Sequence, residues 1–357
     1  MRALVLEDFG RLTLTEMDEP VAVADEVLVR IIATGICGSD VHGYTGENGR
    51  RVRGQVMGHE TVGVIESLGP DVSRAELRPG TIVTINPVIL PAEDVIAFAG
   101  REQHDEMKRV LGVAPELISA FAEKVSVPER NIVPLPTAMP VLYGALIEPL
   151  AVAVNAVRRS KAGPEDAVLV LGGGPIGQSI VLALQMAGVT SIVVTEVMTS
   201  RQDLLRSLGA TVVDPTTADV PSTVIDLLGR PVDVALDAVG MSQTLDQALS
   251  STRLGGIVCL VGMGHRTLEM DAFKVSTAER SVVGSFTYAN PDFEEAAAWL
   301  ATAPEAAEAL ISHSVTLEEA DSAFRGLASG DGTAGKVMVV LDPDRVPAAT
   351  FERRVPA

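Results

Sequence analysis

Two hydrophobic rhythms divide the chain. Up to about Pro140, apolar positions come in short runs punctuated by glycine and proline, as at 27–33, 61–68 and 81–85 after Arg78-Pro79-Gly80. This predicts short strands and a small antiparallel barrel or sandwich. From Pro149 onward, apolar runs of four or five at 167–171, 191–195, 232–237 and 256–261 alternate with helical periodicity at 176–187, 200–208 and 242–250. Such alternation predicts βαβ units and a parallel sheet. After Tyr288 come a helix at 292–302, a second beginning near Thr316, and a closing strand at 336–341. That strand has no parallel neighbour left to follow, so the tail is expected to return to the first domain. The expected division is 1–148 with 289–357, and 149–288; the end from about Pro343 is expected to fray.

The 357 residues suffice for two domains with real cores. With 28 Lys and Arg against 47 Asp and Glu, the net charge of −19 repels phosphate backbones and anionic lipid headgroups, so neither nucleic acid nor membrane is an expected partner. No uninterrupted apolar run is long enough to span a bilayer, and the start carries Arg2, Glu7 and Asp8 without a signal-peptide core. A cytoplasmic chain is expected. Two cysteines, Cys37 and Cys259, exclude a disulfide framework and a cysteine-built structural zinc site.

Candidate chemistry lies in two places. Gly172-Gly173-Gly174-Pro175-Ile176-Gly177 follows an apolar strand and opens a helix, the arrangement that sets a pyrophosphate on a helix N-terminus. Glu196, 19 residues after Gly177 at the next strand's end, is placed to accept the adenosine ribose hydroxyls and to repel a 2′-phosphate. NAD is therefore expected, bound by Gly172, Gly174, Pro175, Ile176, Gly177 and Glu196, with Arg201 leaving room for some NADP. Val261 and Met263, at the carboxyl end of a parallel strand where ligands gather, join that set. The second place is Cys37-Gly38-Ser39-Asp40-Val41-His42 followed by Gly58-His59-Glu60. Thiolate, imidazole and carboxylate make the donor set of a catalytic zinc with one open position, with Glu148 as fourth candidate. Pro149 biases Glu148 out of helical geometry, toward an exposed element boundary. Asp40 is either a carboxylate that orients a ligand or a turn cap. Tyr44 is a candidate pocket wall; Arg50, Arg51 and Arg53 read as a solvated loop, His104 and His313 as surface, Cys259 as core.

These motifs resemble the zinc-dependent medium-chain alcohol dehydrogenases, most closely the sorbitol or polyol and threonine dehydrogenase branch. The likeness covers essentially the whole chain. It rests on Gly35-Ile36 leading into Cys37 through His42, Gly58-His59-Glu60, Arg78-Pro79-Gly80 with Val83, Glu148-Pro149-Leu150-Ala151, the glycine turn, and Gly255-Gly256 ahead of Val261-Gly262. It implies a GroES-like catalytic domain, a Rossmann domain and an active site in the cleft between them. It also implies one zinc held by Cys37 and His59, with Glu60 and Glu148 completing the sphere directly or through water. Ser39 would then take the substrate's hydroxyl proton and pass it through a cofactor ribose hydroxyl to His42. Glu60 thus stands in both the metal and the catalytic set. Relatives are dimers or tetramers, so a homo-oligomer is expected.

One departure is informative. Many relatives carry a structural zinc in a lobe built on C-x2-C-x2-C-x7-C. Here the equivalent spacing holds Pro91, Asp94, Ala97 and Asp105, so the lobe has lost every thiolate. The two aspartates read as solvated charge, and a single catalytic zinc is expected. The reading is an NAD- and zinc-dependent oxidoreductase for a secondary alcohol, a polyol or sugar-like compound, with a small-molecule alcohol as its partner. Competing readings are a dehydrogenase of an amino alcohol or simple secondary alcohol, and a catalytically silent nucleotide-binding relative.

Overall fold

The strand Glu26–Gly35 is apolar on both faces because it has partners along its whole length. In this computed structural model, which describes residues 1–47 and 49–347, it pairs antiparallel with Glu60–Leu68. Its first half also pairs with Lys124–Pro128 and its last three residues with Lys336–Val340. A seven-stranded sheet results, in the order Ile311–Thr316, Lys336–Val340, Glu26–Gly35, Glu60–Leu68, Ile82–Ile85 and Ile132–Pro134, with Lys124–Pro128 on the flank of Glu26–Gly35. Its core gathers Ile31, Ile65, Ile85, Phe121, Ile132 and Phe324, all essentially inaccessible. The chain divides into two compact units: Met1–Glu148 with the chain from Ala289 on, and Pro149–Tyr288.

The closing strand does have a parallel neighbour, Ile311–Thr316. That strand is hidden in the sequence because ISHSVT lacks a clean apolar alternation, and its His313 is half-buried rather than on the surface. Pro343–Arg345 forms a short 3-10 turn, and the rest of the expected frayed tail, 348–357, lies outside the described residues.

The second unit is a six-stranded parallel sheet in the order Thr211–Val213, Ser191–Thr195, Ala167–Leu171, Val232–Asp237, Thr252–Leu260 and Ser281–Gly284. Counted along the chain this is 3-2-1-4-5-6, the doubly wound dinucleotide-binding order. The order reverses between Ala167–Leu171 and Val232–Asp237, the switch point at whose carboxyl ends a doubly wound sheet takes its ligand.

One helix bears on the expectation about membranes. The 3-10 turn Val141–Leu146 runs into the helix Ile147–Ser160, and together they are long and apolar enough to cross a bilayer. Glu148 and Pro149 interrupt the apolar run and so conceal this in the sequence. The stretch is 83% buried inside the protein over its most apolar window, which is the behaviour of a core helix.

Candidate functional site

In the first unit, Cys37 is the N-cap of the helix Gly38–Thr45, so its sulfur stands at the positive end of that helix. His59 and Glu60 arrive from the neighbouring strand. Gly58, at φ +97°, makes the turn that delivers them, and a Cβ there would press on the backbone of Phe121. Donor atoms of Cys37, His59 and Glu60 all lie within 4.8 Å of one another. Two ligands at about 2.0–2.3 Å from a shared zinc lie no more than about 4.6 Å apart, so a modest contraction assembles the set. Glu60 Oε2 is buried without a hydrogen-bond partner, and His59 Nδ1, also without one, lies toward Asp40 Oδ1 at 3.6 Å, which leaves Nε2 as the ring's ligand atom. An orphaned carboxylate oxygen beside a thiol and an imidazole is what a metal satisfies, so the residues fit a zinc ion.

Asp40 resolves both of its readings at once. It is fully buried, its Oδ2 accepts from the Cys37 N–H at 3.3 Å, and its Oδ1 lies 3.6 Å from His59 Nδ1. One carboxylate therefore ties the two ligand-bearing segments together. Behind it stands Arg51, 4% exposed, with Nη2 3.4 Å from Asp40 Oδ1. Arg51 is thus not part of a solvated loop; a buried carboxylate against a metal site needs a buried cation. Burial alone would lower the His59 pKa, but Asp40, Cys37 and Glu148 outweigh it and hold that pKa well above the ordinary value.

Glu148 is also corrected. It occupies the first turn of Ile147–Ser160 and is buried, not exposed at a boundary. Pro149 is compatible with helical geometry there because a first-turn N–H has no intrahelical partner to lose. Glu148 acts electrostatically on both His59 and Lys336. Lys336 went unread in the sequence: a lysine opening an apolar strand, with its Nζ 2.7 Å from Glu60 Oε1 and both side chains buried. Burial lowers its pKa, but Glu60, then Cys37 and Glu148, more than compensate, and the net shift is upward.

Ser39 lies two residues beyond Cys37 in the same helix, and His42 one turn further on is half-exposed with Nδ1 3.0 Å from Glu47 Oε2. Tyr44 is no pocket wall: it is buried against Phe324 at 5.4 Å, and its hydroxyl donates to the Gly10 carbonyl at 2.5 Å.

In the second unit the glycine turn is tight and closely packed. Gly172 has φ +92°, and a Cβ at Gly177 would collide with the Gly172 carbonyl oxygen, so the helix Pro175–Met186 packs tightly on the strand before it. Glu196 is buried; Oε2 accepts from Gly173 N–H at 2.9 Å, and Oε1 from Val197 and Met198 N–H at 2.8 Å each. Arg201, on the helix Thr199–Ser207, brings its guanidinium to the edge of Gly174. Val261 and exposed Met263 follow the strand Thr252–Leu260. Asp237, unread in the sequence, shapes the neighbouring loop by accepting from Val239 N–H, Gly240 N–H and Thr244 Oγ1 at 2.9–3.0 Å. Burial of that carboxyl raises its pKa. Cys259 is core, with burial pushing its thiol up to about 12.

The lobe without thiolates is held by other means. Glu102 is buried and bridges Gly100 N–H at 2.8 Å and Asn290 N–H at 3.0 Å, while Asn86 Nδ2 donates to Asn290 Oδ1 at 2.7 Å. Asp105 is not solvated as expected: it is 2% exposed and accepts from Met107 N–H at 2.8 Å. Among the described residues the Cys37–His59–Glu60 group is the one metal-ligand cluster of three or more.

Comparison with known proteins agrees with this geometry. Residues 23–137 match the alcohol dehydrogenase GroES-like domain, and residues 175–302 match the zinc-binding dehydrogenase family. A sorbitol dehydrogenase from Arabidopsis thaliana is 37% identical over 280 residues, covering 74% of each chain. An L-idonate 5-dehydrogenase from Vitis vinifera is 33% identical over 331 residues, covering 88% of each. Among solved structures, a zinc-binding dehydrogenase from Sinorhizobium meliloti bound to NADP superposes with a TM-score of 0.85 at 28% identity, covering 95% of this chain and 99% of that one. With a GroES-like sheet unit, a Rossmann unit and a Cys-His-Glu cluster whose His59 and Glu60 are buried, the chain belongs to the zinc-dependent medium-chain alcohol dehydrogenases, in their polyol branch.

Proposed function

We propose that this chain moves a hydride between NAD(H) and a secondary alcohol or its ketone, and that the alcohol is a polyol or sugar-like compound. The observation that carries the reading is the Cys37–His59–Glu60 cluster with its orphaned, buried Glu60 Oε2. The relatives' names, a sorbitol and an idonate dehydrogenase, support the substrate class.

Cys37, His59 and Glu60, with Glu148 as the fourth group, would hold one zinc ion. When bound, that ion supplies Lewis acidity, which lowers the pKa of an alcohol. The rest falls to this chain's own side chains. Ser39 takes a hydrogen bond from the substrate hydroxyl and relays its proton through a cofactor ribose hydroxyl to His42, which is half-exposed with its ring beside Glu47 and hands a proton to solvent. Asp40 keeps the His59 ring from turning, and Arg51 holds Asp40. In the other unit, Gly172, Gly174, Pro175, Ile176 and Gly177 cradle the pyrophosphate of NAD, Glu196 takes the ribose hydroxyls, and Arg201, Val261 and Met263 line the cofactor's path.

The enzyme works, on this reading, in the cytoplasm and as a homo-oligomer. Among the described residues the strand Ser281–Gly284 is one of the two edges of its sheet, and Leu254, Met270, Phe273 and Phe286 are exposed in the same unit, which supports a self-associating surface.

The test is Cys37→Ser. Its zinc content should fall toward zero and its polyol oxidation with NAD by more than about 100-fold, beyond the 10–100-fold that loss of an outer partner costs. Full activity in a zinc-free variant would sink the reading.

A further inference from the structure

We propose that Lys336 is a positioning residue for the metal centre: it pins Glu60 by one oxygen, leaving a cation only the other, and so keeps that carboxylate a weak, exchangeable ligand. This rests on the zinc reading above and deepens it.

The arrangement is built in by the sheet. Gly35 pairs with Glu60 on one side and with Met338 on the other, so Lys336 and Glu60 enter from strands that flank the same glycine. A Cβ on Gly35 would strike the Glu60 carboxylate and lie 3.2 Å from Lys336 Cδ. Absence of that one carbon lets the two side chains meet across the intervening strand. Nζ then sits 2.7 Å from Glu60 Oε1, with the Ile36 carbonyl at 3.4 Å as a second acceptor. Lys336 is 3% exposed and Glu60 is inaccessible, so neither charge can trade its partner for water. Glu60 Oε2 is buried with no hydrogen bond and belongs to the residue cluster around Cys37 and His59. The pair thus divides one carboxylate into a tethered oxygen and a free one.

The charge count fits the same role. Cys37 as thiolate, Glu60 and Glu148 supply three negative charges, which Lys336 and one divalent ion balance to zero. Without Lys336 the donor set carries an extra negative charge, and Glu60 is free to turn both oxygens on a cation. Metal is then held more tightly, and its own charge is more fully neutralised, which makes it a poorer Lewis acid. A lysine that served the fold alone would have the opposite signature, because loosening the sheet frees the metal.

The experiment compares zinc-loaded wild type, Lys336→Met, Glu60→Gln and the double variant. The readouts are zinc release to an excess of chelator, the visible spectrum of the cobalt-substituted forms, and kcat with a polyol. Lys336→Met should release zinc at least about tenfold more slowly, the size of effect known for outer-shell changes. Its cobalt spectrum should shift and its kcat should fall. In the Glu60→Gln background the same lysine substitution should change release less than about twofold, because the carboxylate it restrains is gone. Faster release from Lys336→Met, or an equal effect in both backgrounds, would overturn the proposal. Should Lys336→Met fail to fold, Lys336→Gln, which removes the charge but keeps a polar head in the core, takes its place in the same comparison, and faster zinc release from it than from wild type would overturn the proposal. A wild-type chain that binds no zinc would defeat the functional reading, and this one with it; zinc bound but indifferent to Lys336 defeats this one alone.

Discussion

A single carboxylate shows how a residue's role follows from the lone pairs it has left. Glu196 offers four acceptor positions on two oxygens, and three backbone N–H groups take three of them, two on Oε1 and one on Oε2. The position remaining on Oε2 is the one a ribose hydroxyl can use, and a 2′-phosphate brought there would meet a buried negative charge. Glu196→Ala should therefore raise activity with NADP relative to NAD by about tenfold, an energy near 1.4 kcal/mol. Steady-state kinetics with each cofactor check this, and an unchanged ratio would reject the ribose role. The residue types at this site and at the zinc cluster were legible in the sequence because spacing announces them. Burial was not. Arg51 reads as one of three loop arginines, yet it is enclosed behind Asp40 while its neighbour Arg53 pairs with exposed Asp8. Glu148 reads as exposed because the residue before a proline avoids helix, a rule that first-turn geometry relaxes. Neither fact leaves a trace in local sequence, since both depend on what packs from elsewhere in the chain.

Elements were legible where their periodicity was strong. The strands Ala167–Leu171, Ser191–Thr195 and Val232–Asp237 occupy the expected residues, because buried parallel strands are apolar on both faces and stand out against their helices. Ile311–Thr316 was missed for the converse reason, and register, which sets Lys336 beside Glu60, has no local signal at all. Register in the second unit is fixed in part by Asp233. Its Oδ2 accepts from Ala167 N–H at 2.9 Å and Arg230 at 2.7 Å, and its Oδ1 accepts from Arg253 at 2.7 Å, which pins the start of the first parallel strand to its neighbour. Burial pushes this carboxyl's pKa up, but Arg253, the Ala167 N–H and Arg230 outweigh burial and hold it below the ordinary 3.8. A depressed folded-state pKa gives stability that is present above the unfolded value and lost as pH falls through the folded one. Asp233→Asn should cost about 1–3 kcal/mol at neutral pH. Urea unfolding should show that difference steady above about pH 5 and shrinking toward pH 3. A gap that does not depend on pH would show that the hydrogen bonds act without the charge.

At the scale of the whole molecule, a net charge of −19 would seem to favour cations anywhere, yet the described residues concentrate metal-ligand geometry at one place. The distinction lies in the company each acidic group keeps, since Asp105 Oδ2 and Glu60 Oε2 are both buried without a hydrogen bond. Glu102 spends both oxygens on backbone N–H groups of two separate segments, and Asp105 turns one oxygen to Met107, so the lobe is fastened by hydrogen bonds rather than by thiolates around an ion. Glu60, unlike Asp105, has a thiol and an imidazole beside it, with donor atoms of all three within 4.8 Å of one another. Acidic surface alone gives weak, exchangeable binding, whereas soft and nitrogen donors enclosed together select zinc. Elemental analysis of the purified, dialysed protein should accordingly find one zinc per chain. Chelation should remove that zinc together with activity, and it should leave the lobe intact, because Glu102 and Asn290 do not depend on a metal. The lobe's integrity can be followed by amide exchange at Gly100 and Asn290, whose N–H groups Glu102 holds. Two tightly bound zincs per chain, or loss of protection at both amides on chelation, would mean that the lobe has kept a metal site built from other donors.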